Sequence, residues 1–158
     1  MNKDMCVACG DGLLNIRAGA IIMKDGKLLM VSNDRDYLYS VGGRVKFGET
    51  AEEAVVREVL EETGVQMEID RLGFVHENYF HGDAPSNRNK LIYEISFFFY
   101  MKVPGDFAPV SESFTEGSSR EHLRWVSLDE DIQIYPEFFK TELKHPTDTV
   151  KYFTTDGR

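Results

Sequence analysis

Apolar residues fall along this chain mostly in short runs of strand length, interrupted by one stretch with helical spacing. Ala18–Met23 and Lys27–Val31 are two such runs. Lys24-Asp25-Gly26-Lys27 joins them, and Asp-Gly there signals a two-residue hairpin. Tyr37–Val41 reads as a short aromatic strand that ends at Gly42-Gly43. Val55, Val56, Val59 and Leu60 then recur at helical spacing and predict a helix over Ala51–Thr63 with those four facing a sheet. Thr50 and Glu53 have the capping-box spacing at its start, and Gly64 is a natural stop. Val65–Phe80 alternates loosely and predicts a strand bent at Gly73, followed by a polar loop at 81–89. Leu91–Val103 is a long strand, 104–120 a second polar loop, and His122–Val126 a short strand carrying Trp125. Pro136–Leu143 reads as a last helix with proline in its first turn. Strands, a helix, more strands and a late helix predict an α+β or mixed α/β sandwich rather than a doubly wound parallel sheet. No repeat or linker breaks the 158 residues, so one domain over 1–158 is expected.

Composition narrows the function. Hydrophobic residues make up 42% of the chain, enough for a core, while the formal charge is −9. Such a chain lacks a general basic surface for a nucleic-acid polymer. No run approaches the roughly 18 apolar residues of a membrane helix, and Met1–Cys6 lacks the pattern of a signal peptide. A cytoplasmic protein is expected, with a homodimer among the assemblies allowed. Cys6 and Cys9 stand as Cys-x-x-Cys without a second pair, and the nearest histidine is His76. An N-terminal turn is the expected meaning, ahead of a structural metal knuckle or a redox pair.

Much of the acid is concentrated in one place. From Glu49 to Glu62, six glutamates face one arginine, Arg57. Glu58, Glu61 and Glu62 are spaced to share a helix face, where like charges oppose the helix by a few tenths of a kcal/mol per pair. On the helical wheel they fall away from the valines, near the small Ala51 and Ala54, which leave room for an approach to the helix. Arg57 lies four residues from both Glu53 and Glu61 and is placed to orient carboxylates. A solvated acidic face is the commonplace meaning of such clustering. Against it stand the Gly42-Gly43 turn and Glu49 just upstream, which let backbone and carboxylates converge. Oxygen ligands of this kind suit a hard cation such as magnesium, in a site shared with phosphate oxygens.

Gly43, Glu49, Arg57, Glu58, Val59, Glu61, Glu62, Gly64 and Val65 fill every specified position of the Nudix box, a stretch of 23 residues. On these residues the chain resembles the Nudix (MutT-like) hydrolases. The resemblance implies an α/β/α sandwich with a mixed sheet, carrying the box as loop, helix and loop. It implies a pyrophosphohydrolase acting on a small-molecule nucleoside diphosphate linked to another group, with magnesium or manganese. By position, Glu58, Glu61 and Glu62 resemble the metal ligands, the Gly42 carbonyl a backbone ligand, and Glu49 a further ligand or a residue orienting metal-bound water. Arg57 resembles the arginine that holds the box carboxylates in place. The rival from another class is a nucleotide-sensing module of the same fold without turnover; the complete set of carboxylates argues against it.

The box leaves the general base open. Candidates are Glu49, Glu94, Glu112, Glu116 and Glu121, with Glu121 placed ahead of Glu116 in or beside the loop before Trp125. Glu94 is unusual because it interrupts an apolar strand, either at a half-exposed position or aimed into a cleft. Lys46 occupies a box position where many relatives carry an acid, and offsetting the glutamates is its expected role. Tyr39-Ser40-Val41 replaces the common Leu-Pro before the glycines and removes no ligand. Tyr37, Tyr39, Phe47, Tyr79 and Phe80 offer rings for stacking, and Arg17, Arg35, Arg88 and Arg120 offer charge for phosphates. For each of these the ordinary role, in core, sheet or surface, is the commoner one. No feature selects one nucleoside diphosphate derivative over another.

Overall fold

The computed structural model describes residues 3–108, 112–114 and 120–158, with 112–114 and 120 described by backbone alone. In chain order the elements are β1 (Cys6–Cys9), β2 (Gly12–Ile21), β3 (Met23–Lys24), β4 (Lys27–Ser32), β5 (Tyr37–Arg44), α1 (Ala51–Thr63), β6 (Glu68–His81), β7 (Leu91–Lys102), β8 (Glu112–Phe114), β9 (Arg120–Ser127), β10 (Gln133–Tyr135), α2 (Phe139–Glu142) and β11 (Lys151–Asp156). Across the mixed sheet the order is β11-β6-β7-β2-β5-β4-β9-β8, with β1 on β2, β3 on β4 and β10 on β5.

Both faces of the central strands are covered, which explains their unbroken apolar runs. Ala18, Ala20, Leu29, Val31, Val41 and Phe99 pack with Val55 and Val59 of α1. Their alternates Ile21, Leu28, Met30 and Phe98 pack with Phe139 of α2 on the other side. Helices therefore sit on both faces, the α+β sandwich expected from the order of elements. Among the described residues no helix is long and apolar enough to cross a membrane.

Local chemistry sets several boundaries as expected. Asp25 and Gly26 both take positive φ, 52° and 74°, the geometry of a type I′ turn, and Lys24 pairs with Lys27. Thr50 accepts from the Glu53 amide at 3.1 Å while the Glu53 carboxylate accepts from the Thr50 amide at 2.8 Å. Gly64, at φ 74°, ends α1 by donating to the Leu60 carbonyl. β6 carries its irregularities at Ile69/Arg71 and Leu72/Phe74, around the expected bend.

Several expectations need correction. β5 does not end at Gly42-Gly43 but runs through the pair to Arg44, because Gly42, Gly43 and Arg44 pair with β2. Cys6–Cys9 is a strand paired with β2, not a turn, and both cysteines are free thiols. Leu60 is 45% exposed, because Ala54 rather than Leu60 completes the buried face with Val55 and Val59. At roughly 100° per residue that face also takes in Glu58 and Glu62, which therefore lie toward the sheet and not opposite it. The last helix is cut to Phe139–Glu142, with Tyr135 and the preceding residues drawn into β10 beside β5. The strands β10 and β11 are short and mostly polar; they pair with β5 and β6, and Ile134 and Phe153 pack on the second face of the core.

Candidate active site

The site opens where β5 changes partners. Its first half, Leu38–Ser40, pairs with β4, and its second half, Val41–Arg44, pairs with β2. At that split lies a cleft of about 1170 Å³, lined by Glu58, Glu61 and Glu62 of α1, Gly42 and Gly43 of β5, and Glu121 of β9. The glycine pair has a steric reason. A Cβ on Gly43 would collide with the carboxylate of Glu58, so only glycine lets that side chain lie against the strand.

Arg57 organises the helix side. Its Nε and Nη2 donate to the two oxygens of Glu49 at 3.1 and 2.6 Å. Its Nη1 donates to Glu58 at 2.7 Å and Glu61 at 3.3 Å, and Nη2 also donates to the Arg44 carbonyl at 3.1 Å. All five guanidinium N–H groups are thus matched by acceptors. Arg57 holds the Glu49 carboxyl below the ordinary carboxylate range. A second bond to Glu49, from the Lys46 amide at 2.8 Å, leaves that carboxylate behind Arg57 and off the cleft wall.

Glu62 has the opposite environment. Burial pushes its pKa up to about 8, with the Glu58 and Glu121 charges adding to the shift and a bond from the Gly42 amide at 3.0 Å opposing it. Burial also raises Glu58, against the pull of Arg57. Glu121 is buried at 7% exposure and accepts from the Tyr39 hydroxyl at 2.8 Å. Carboxylates are therefore crowded in a shielded place with too little positive charge beside them. Hard oxygen donors with excess negative charge fit a divalent cation by chemistry. Among the described residues no three of them close into a ligand set, since Arg57 pairs with Glu58 and Glu61.

A family model for the NUDIX domain matches residues 13–142, most of the chain, including the carboxylates of α1, Gly42, Gly43 and Glu121. The chain belongs to the Nudix family. A MutT-like protein of Streptomyces ambofaciens is 38% identical over 66 residues, which cover 41% of this chain and 43% of that protein. The match thus spans less than half the length of that relative. The crystal structure of a MutT NUDIX hydrolase from Burkholderia pseudomallei is 27% identical, covering 76% of this chain and 88% of that one, with a TM-score of 0.56. A MutT protein from Bacillus halodurans shares the fold at 17% identity, covering 89% and 90% of the two chains with a TM-score of 0.62. Nudix hydrolases generally use divalent metal ions.

The Nudix cleft gathers most of the residues singled out in the sequence. Glu94 lines it and accepts from Asn15 at 2.6 Å and from Ser96 at 3.4 Å. Tyr37, Tyr39, Tyr79, Phe80, Arg35 and Lys46 also line it. Phe47 does not; it is 74% exposed. Arg88 is also off the cleft wall. Glu116 lies outside the described residues, and Glu112 is placed only by its backbone in β8. Arg35 is committed elsewhere, to Asp83 at 2.5 Å and Tyr37 at 2.7 Å. Arg17 differs: half-buried on the cleft wall, its side chain forms no hydrogen bond or ion pair among the described residues, and its charge is felt by Glu58 and Glu62. Surface charge, its expected role, does not describe that setting. His76, Asn78 and Thr155 also line the cleft and had no signal in the sequence beyond being polar groups in or near strands.

Proposed function

We propose that this protein hydrolyses the pyrophosphate bond of a nucleoside diphosphate linked to another group, with magnesium or manganese at the carboxylates of α1. The observation that carries the reading is that Glu58, Glu61, Glu62, Glu121 and Arg17 face one cleft at the Nudix box. Glu58, Glu61, Glu62 and the Gly42 carbonyl would hold the metal. When bound, it neutralises phosphate oxygens and lowers the pKa of a bound water.

The chain's own residues supply the rest. Arg17 has a guanidinium uncommitted among the described residues, whose fork geometry suits two phosphate oxygens. Glu49 acts through Arg57 as a positioning residue, because both its oxygens are already engaged. Glu121 is the favoured proton acceptor: it is buried on the cleft wall, and the Tyr39 hydroxyl fixes one of its oxygens. Glu94 is held by Asn15 and Ser96 and is assigned to binding rather than proton transfer.

The test is release of phosphate or nucleoside monophosphate from ADP-ribose, dinucleoside polyphosphates, nucleotide sugars and nucleoside triphosphates, with magnesium, manganese or EDTA. Turnover of at least one substrate is expected with metal and none with EDTA. Glu121→Gln should lower kcat at least 100-fold while manganese binding persists. Unchanged turnover in that variant returns the proton-accepting role to Glu116 or Glu94. Tight nucleotide binding without turnover on the whole panel favours the sensing module instead.

A further inference from the structure

The sheet carries a lateral row of polar side chains across the cleft floor. In register across adjacent strands stand Arg44, Arg17, Ser96 and His76, in β5, β2, β7 and β6. Two residues along, Asn15, Glu94, Asn78 and Thr155 form a second row reaching β11. Directly opposed residues share a face, so both rows project to one side. Adjacent strands lie about 4.8 Å apart and the rows are two residues apart, so the backbones at Arg17 in β2 and Thr155 in β11 are roughly 16 Å apart. A nucleoside diphosphate laid across the sheet fits within that span.

The two ends differ in chemistry. The β2 end has the free guanidinium and the acidic helix beside it. The β6–β11 end is neutral. His76 is buried there and pairs through Nε2 with the Thr155 hydroxyl at 2.8 Å. Burial lowers its pKa to about 4, so the ring is uncharged at neutral pH. Half-buried Asn78 lines the cleft with its carboxamide free of any hydrogen bond among the described residues. Its amide atoms reach the open cleft, where a ligand can meet both a donor and an acceptor. Phe138 and Phe153 stack on each other at 4.3 Å along the same wall. β11 lies beyond residue 142, where the family match ends, whereas β6 lies within it.

We propose that β6 and β11 form a recognition site for an uncharged heteroaromatic ring of the substrate, with Asn78 and Thr155 as the residues that determine specificity. The inference rests on the pyrophosphohydrolase reading for the position of the diphosphate. A carboxamide offers a donor and an acceptor side by side, which matches a ring edge bearing an amino group next to a ring nitrogen. The Thr155 hydroxyl can turn to donate or accept.

The test is calorimetric binding of AMP, GMP, CMP, UMP and ribose 5-phosphate to the full chain without added metal. At least one nucleotide is expected to bind ten-fold or more tightly than ribose 5-phosphate. Thr155→Val and Asn78→Ala should each remove most of that advantage while leaving ribose 5-phosphate within two-fold of its original affinity. β11 is held to β6 through its backbone, so Thr155→Val leaves the strand in place. Equal binding of all five ligands would overturn the proposal. So would an equal loss for nucleotide and sugar phosphate in both variants. Metal-dependent turnover with unaltered substrate preference in the variants rejects the ring site and leaves the hydrolase reading standing. Selective, Asn78-dependent nucleotide binding without turnover rejects the hydrolase reading and keeps the ring site.

Discussion

Replacing Arg57 by glutamine removes a five-bond hub at one step. Three carboxylates depend on it, and they differ in shielding. The side chains of Glu49 and Glu58 are 13% and 15% exposed, whereas that of Glu61 is 54% exposed. The Glu61 pair should therefore contribute less than about 0.5 kcal/mol. The forked pair with Glu49 is shielded and charge-assisted, and should be worth about 2 kcal/mol; Glu58 adds about 1 kcal/mol more because its burial opposes ionisation. The expected cost of Arg57→Gln is thus about 3 kcal/mol, a large share of the 5–15 kcal/mol typical of a domain. Arg57→Lys keeps the charge but loses the fork, and should cost about half as much. Urea unfolding in EDTA at pH 7 measures both. A cycle with Glu49→Gln isolates the fork, with an expected coupling of about 2 kcal/mol. The sign with pH is also fixed. Arg57 depresses the Glu49 pKa, so its contribution is complete above the unfolded value and disappears as pH falls through the folded one. The Arg57→Gln penalty should shrink on acidification. A coupling below about 0.5 kcal/mol at pH 7, or a penalty that grows in acid, would refute the reasoning.

Glu62→Gln should abolish turnover yet melt no lower than the parent in EDTA, and about 2–4 °C higher if relief of burial is worth about 1 kcal/mol. The same variant should lose most of the melting shift produced by manganese, as scanning calorimetry would show. Arg17→Gln should raise KM about ten-fold, equivalent to about 1.4 kcal/mol, with kcat changed less than three-fold; steady-state kinetics at two salt concentrations would expose a smaller effect. His76 has a folded pKa near 4, below the ordinary histidine value of 6.5. Its contribution is present above 6.5 and is lost as pH falls toward 4, by about 1–2 kcal/mol once screening by cleft water is allowed for. Stability measured by urea unfolding across that interval should flatten in His76→Gln; an unchanged slope would show that the ring is not held neutral.

Much of α1 and its chemistry is local, and so was legible in the sequence. Thr50, Glu53 and Gly64 set the helix ends through bonds spanning three or four residues, and Asp25-Gly26 fixed a hairpin through its own dihedrals. The box spacing named the carboxylates and Arg57 because helical periodicity carries i, i+3 and i+4 directly into space. The wheel misled at Leu60 and Ala54, since which of two apolar edges is buried depends on the surface it meets. Glu121 could be ranked as a candidate, but its bond to Tyr39 spans 82 positions and exists only because β9 and β5 both flank β4.

Tertiary structure alone decided three things. It turned Glu49 into a partner of Arg57 rather than an open ligand wall, through bonds closed over eight residues. It left Arg17 unpaired among the described residues on a cleft wall, where composition suggested ordinary surface charge. It brought Thr155 into register with Asn78 and within a hydrogen bond of His76 by placing a C-terminal strand parallel to β6, a pairing made by backbone groups that every sequence possesses. The chain's local spacing therefore determined the carboxylate cluster of α1 and its arginine. The polar face that β6 and β11 add to the cleft follows from strand order, because side chains distant in sequence share a wall only after the sheet is assembled.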